Sequence, residues 1–88
     1  MKTKSDYIIR KVAGEWIVVA IGPTSATFNK IIRLNETSKL IWDKLVDGTD
    51  EDQLVHILTD KYDVSEEKAL NDIRNIIQNF KELGCIEE

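Results

Sequence analysis

One histidine, one cysteine and one proline among 88 residues leave little material for side-chain chemistry. With Cys85 alone no internal disulfide can form, and with His56 alone no histidine and cysteine cluster reaches metal-ligand spacing. A Ser/His/Asp triad would have to recruit His56, and no serine stands in a GxSxG turn. The four glycines are scattered at positions 14, 22, 48 and 84, so no glycine-rich loop exists to cradle a phosphate. No apolar run approaches the roughly 18 residues that span a membrane, and the opening MKTKSDY lacks the apolar segment of a secretory signal. Excess cationic charge is missing too. Twelve Lys and Arg against 16 Asp and Glu give a net charge of −4 and a pI near 5.0, which opposes attraction to nucleic acid or to an anionic membrane. These absences predict a cytoplasmic binding protein without catalytic residues, metal or cofactor.

What is present describes one folded domain over residues 1–88. Hydrophobic content of 42% and charged content of 32% suit a single core, and the length is too short to close a second one. Tyr7 to Val12 and Glu15 to Ile21 are β-rich runs separated by Ala13 and Gly14, which predicts a tight hairpin. Within the second run Trp16, Val18 and Ala20 face one way and Ile17, Val19 and Ile21 the other, so both faces of the central strand are apolar. A turn at residues 22 to 25 returns the chain through Phe28 to a third strand, Ile31 to Leu34, expected at a sheet edge.

Three helices follow. The first runs from Glu36 to Val46 behind an Asn35 cap and stops at Gly48. The second starts after Thr49 or Asp50, carries Glu51 and Asp52 in its first turn, and buries Leu54, Val55, Leu58 and Tyr62. Ser65 caps the third, which ends near Leu83 with Gly84 beyond it. The sum is an α+β fold, a three-stranded antiparallel sheet followed by three helices, winged-helix-like in order. At about 100° per residue, Ala69, Ile73, Ile76, Phe80 and Leu83 share one arc of the third helix, with Leu70 and Ile77 on its flank. Leu70, Arg74, Ile77 and Lys81 align along one edge, which either closes against the sheet or lines a peptide groove.

The segment IIRLNETSKLIW, residues 31 to 42, resembles the PqqD family, in which an apolar strand ends in LNE and runs directly into a helix. Leu34, Asn35, Glu36, Thr37, Ile41 and Trp42 carry that pattern. Asp47 and Gly48, the YDVSEE connection from Tyr62 to Glu67, and the closing ELGCIEE continue it over roughly residues 7 to 87. The resemblance implies a protein that binds the leader of a ribosomally made precursor peptide and presents it to a separate modifying enzyme. That enzyme would be a radical S-adenosylmethionine enzyme, or the protease and cyclase of lasso-peptide pathways. Phe28 to Arg33 lacks the aromatic that many lasso-pathway members place just ahead of the leucine and asparagine, so the resemblance does not choose between these partners.

Strand addition to the edge at Ile31 to Leu34 is the implied mode of binding. Ile31, Ile32 and Arg33 would offer the main chain, while Phe28, Leu70 and Ile77 would select apolar leader residues and Arg74 and Lys81 would meet acidic ones. Two other functions fit the same element order. A winged-helix DNA-binding regulator would use the third helix, whose outward face carries Glu66, Glu67, Asp72 and Glu82 against Lys68, Arg74 and Lys81 and so repels phosphate. A homodimerisation module would use the second apolar face of the sheet.

Overall fold

A computed structural model describes residues 1–26 and 31–87. Strands β1 (Lys2–Thr3), β2 (Tyr7–Val12), β3 (Glu15–Ala20) and β4 (Ile32–Leu34) precede helices α1 (Glu36–Asp47), α2 (Glu51–Lys61) and α3 (Glu66–Glu82). A final strand, β5 (Ile86–Glu87), closes the order, and a 3-10 turn at Gly22–Ala26 follows β3. The three-stranded antiparallel sheet has the order β2-β3-β4, so β4 lies at an edge as expected.

β2 and β3 join through Ala13 and Gly14, whose φ angles of 51° and 81° are both positive. That pair of angles makes the turn twist with its strands, although an alanine there bears the strain of the left-handed region. Each helix starts at a side-chain cap: Asn35, Asp50 and Ser65 accept the N–H of Ser38, Gln53 and Lys68 at 2.8, 2.8 and 3.1 Å. Each such cap stabilises its helix by about 1 kcal/mol.

Val18, Ile32 and Leu34 of the sheet meet Ile41, Trp42 and Leu45 of α1 in one core with α2 and α3. Trp42 is fully buried and meets Phe80 of α3 edge to face, their ring centroids 5.2 Å apart at 87°. In α2, Leu54 and Leu58 are buried, whereas Val55 and Tyr62 are half-buried at the margin. In α3 the buried residues are Ala69, Ile73, Ile77 and Phe80. Their centre is rotated by roughly 40° toward Ile77 from the arc that periodicity gives, so Ile76 and Leu83 fall to the margin.

One element has no counterpart in the sequence reading. β1 pairs with β5, Lys2 opposite Glu87 and Thr3 opposite Ile86, and the Lys4 N–H continues the pairing to the Cys85 carbonyl at 2.9 Å. The chain start is also held to the α1–α2 turn, where the Met1 amine donates to the Thr49 carbonyl at 2.8 Å and the Thr49 N–H donates to the Met1 carbonyl at 2.9 Å. Two-residue strands are too short to show periodicity, and these two partners lie at opposite ends of the sequence.

Candidate peptide-binding edge

β4 is short because its last residue abuts a helix cap. Asn35 keeps extended angles (φ −77°, ψ 179°) while its side chain accepts the Ser38 N–H, so the strand becomes a helix without a linker. Ile32 and Leu34, each 8% exposed, anchor the strand from its inner face, and Arg33 points outward. The start of α1 is further held by the Lys61 ammonium of α2, 3.8 Å from the Glu36 carboxylate.

Which main-chain groups of β4 stay open follows from the register. The Ile21 N–H donates to the Asp6 carbonyl at 2.8 Å, and the pairs Ile8–Val19, Arg10–Ile17 and Val12–Glu15 share its parity. In an antiparallel ladder these alternate residues exchange hydrogen bonds, so Glu15, Ile17 and Val19 aim their main chain at β2. Trp16 and Val18 therefore bond to β4, pairing with Leu34 and Ile32. Arg33 is left with its N–H and C=O pointing away from the sheet. Ile31 has the same parity and is 70% exposed.

Below this edge, between the hairpin tip, β4 and α1, lies an open cleft of about 460 Å³. Trp16, Leu34 and Leu40 contribute its apolar surface, and the Lys39 ammonium sits 4.5 Å from the Trp16 ring centre. Its charges are already matched in pairs: Arg33 with Glu15 at 3.7 Å, Lys61 with Glu36, and Lys39 with Asp43. An apolar side chain can enter without stranding a charge. Sequence reasoning placed Trp16 on one face of the central strand but missed this cleft, because Lys39 of α1 meets Trp16 of β3 only in the folded chain.

The other sequence-predicted residues are distributed as follows. Ile32 and Ile77 (5% exposed) join the common core. Leu70 is half-buried and lines surface hollows, one shared with Val55 and His56 of α2 and another shared with Arg74. Arg74 grips Glu51 at the start of α2 with two hydrogen bonds of 3.2 and 3.3 Å. The Leu70 and Arg74 part of the α3 edge thus borders α2, while Arg33 borders the hairpin and α1. Lys81 is exposed in the last turn of α3. Phe28 lies outside the described residues.

Nucleophilic chemistry finds poor material. Cys85 is fully buried, and that burial pushes its thiol up to about 11, reinforced by Asp6 and opposed by Lys4. His56 is exposed on α2. Among the described residues no three His, Cys, Asp or Glu side chains group as metal ligands, and no helix is long and apolar enough to cross a membrane.

A comparison with curated protein sequences gives no match. Among solved structures, one described as "Lasso peptide synthetase B1 complexed with the leader peptide" superposes with a TM-score of 0.79 at 22% identity, covering 99% of this chain and 96% of the other. A second, "TbiB1 in Complex with the TbiA(beta) Leader Peptide", gives 0.75 at 20% identity over 94% and 93%. At these identities the likeness establishes a shared fold. Residues 15–86 match the family described as Coenzyme PQQ synthesis protein D (PqqD), a span from the start of β3 into β5, and this chain belongs to that family.

Proposed function

We propose that this protein is a leader-peptide-binding adaptor without catalysis of its own, which holds the leader of a ribosomally made precursor peptide and presents it to a separate modifying enzyme. The carrying observation is the outward main chain of Ile31 and Arg33 on an edge strand that opens onto the Trp16 cleft. Membership of the PqqD family supports the reading, as does a fold shared with two proteins solved with leader peptides.

In the mechanism, the leader adds as a fourth strand beside β4, exchanging hydrogen bonds with Ile31 and Arg33. Alternate leader side chains then point to opposite faces of the widened sheet, and the inward ones reach the cleft. Ile32 and Ile77 act from within the core by fixing β4 and α3. Leu70 and Phe28 offer apolar contacts, and Arg74 and Lys81 offer cations to acidic leader residues, Arg74 by exchanging Glu51 for a leader carboxylate. The enzyme partner is a radical S-adenosylmethionine enzyme or a lasso-type protease and cyclase; one cysteine in this chain cannot supply an iron–sulfur cluster motif. A single buried thiol also suits a reducing cytoplasm.

DNA recognition by α3 is disfavoured, since Glu66, Glu67, Asp72 and Glu82 make its outward face acidic and repel phosphate. A homodimer through the outer sheet face would cover about 240 Å² per copy for two six-residue strands and one of three residues, well below the roughly 800 Å² of a standard interface. The test of the adaptor reading is titration of ¹⁵N-labelled protein with the leader segment of the precursor encoded beside its gene. The amides of Ile31 and Arg33 should shift, and the central-strand amide of Ile17 should move less. Absence of binding would overturn the proposal.

A further inference from the structure

The sheet has a second open edge, on β2. By the same parity Ile8, Arg10 and Val12 bond to β3, so Ile9 and Lys11 aim their main chain outward. Among the described residues nothing beyond the sheet takes those groups; the neighbouring Tyr7 N–H is used by the Lys4 carbonyl at 3.2 Å. Alongside runs a hollow of about 360 Å³ bounded by Ile8, Ile9, Trp42 and Val46, with Lys2 and Lys4 also on its wall. Ile8 and Ile9 are consecutive, and successive strand side chains point to opposite faces, so both can line one hollow only where the strand's own edge faces it. Val46 is 45% exposed, whereas Ile41, Trp42 and Leu45 of the same helix are buried.

Charge selects the occupant. Lys2, Lys4, Arg10 and Lys11 lie along this border against Asp6 and, opposite Lys2 in the β1–β5 ladder, Glu87, a local excess of cations on a chain of net charge −4. Lys2, Lys4 and Arg10 form no ion pair among the described residues, and the Lys11 ammonium lies 5.5 Å over the Trp16 ring. A second copy pairing through this edge would bring like charges face to face, which disfavours self-association. We infer that the β2 edge and its hollow are a second docking strip, for an extended segment of a partner protein that alternates carboxylate and apolar side chains and adds as a strand beside β2. Its carboxylates would meet the lysines while its apolar side chains enter the hollow over Val46. Because β3 separates the two edges, both segments can be held at once, and the strips share one contact, the Lys11 ammonium over the Trp16 ring.

The probe is a fluorescein-labelled peptide alternating glutamate with valine and leucine, compared with the same peptide carrying lysine for glutamate. Anisotropy should show binding of the acidic peptide only, with the amides of Ile9 and Lys11 shifting and that of Arg33 unmoved. Reversing two cations in Lys2→Glu with Lys4→Glu should weaken binding about tenfold. Lys11→Pro removes an outward donor and no bond to β3, so it should weaken binding to a similar degree with an unchanged melt. N-methylation of alternate peptide bonds in the probe tests the same pairing without touching the fold, and should abolish binding in one of the two phases. Equal binding of the lysine peptide, shifts confined to Arg33, indifference to both methylation phases, or concentration-dependent dimers in sedimentation would each overturn the inference.

Discussion

Replacing Arg33 by proline tests whether the leader pairs with β4 through its main chain. The Arg33 N–H points away from β3, so proline removes no bond of the sheet and suits an edge position. A leader residue opposite Arg33 would exchange two N–H···O bonds with it, each worth about 1 kcal/mol net; proline removes the donor of one and keeps the carbonyl that accepts the other, so the loss of about 1–2 kcal/mol is roughly five- to thirtyfold in Kd. Arg33→Ala keeps the donor and loses only the 3.7 Å contact with Glu15, whose side chains are 74% and 60% exposed. An ion pair so exposed contributes less than about 0.5 kcal/mol, a factor of about two. Ile32→Pro supplies the opposite parity: it breaks the bond to Val18, removes a buried side chain, and should unfold the domain. The assay is anisotropy of a labelled leader peptide, with circular dichroism melts as the fold control. Folded Arg33→Pro that binds as well as Arg33→Ala would refute strand addition at this residue.

Three further outcomes are expected. Ile77→Glu places a carboxylate at a core position and should cost at least about 3 kcal/mol, lowering the melt sharply, whereas Arg74→Glu should cost about 1 kcal/mol or less, shrinking in high salt, because its pair with Glu51 is exposed. Ala13→Asn should raise stability by about 0.5–1 kcal/mol in urea unfolding, since asparagine tolerates the positive φ of this turn better than alanine. The Cys85 thiol, raised from 9.0 to about 11, favours its neutral form in the fold. It therefore contributes stability that is intact below about pH 9 and lost as pH rises toward 11; Cys85→Ala should flatten that alkaline decline, and a disulfide reagent at pH 8 should label the wild-type thiol only on unfolding.

Much of this architecture was readable because local signals agreed. Asn35, Asp50 and Ser65 each cap a helix at the position their chemistry favours, and the Ala13–Gly14 hairpin follows from two β-rich runs two residues apart. The edge position of β4 was also visible, from an apolar strand running straight into a cap. What was not visible depends on contacts between distant segments. The rotation of α3 that sinks Ile77 is set by what packs on it from α2 and β5. Arg74 is turned to Glu51 by the angle between two helices, which periodicity within one helix cannot report. The parity that opens Arg33 needed a register, and the Trp16 cleft needed the hairpin, β4 and α1 brought together.

The pairing of β1 with β5 turns an open chain into a closed loop. Because the first and last strands hold each other, neither end of the described fold can fray without releasing the other, and the Met1 clasp on Thr49 carries that dependence to the α1–α2 turn. Long-range closure of this kind slows folding, since the loop entropy is lost before the short strands gain their few hydrogen bonds. It also makes the domain yield as a unit: a pull or a protease acting at one terminus is resisted by residues at the opposite terminus.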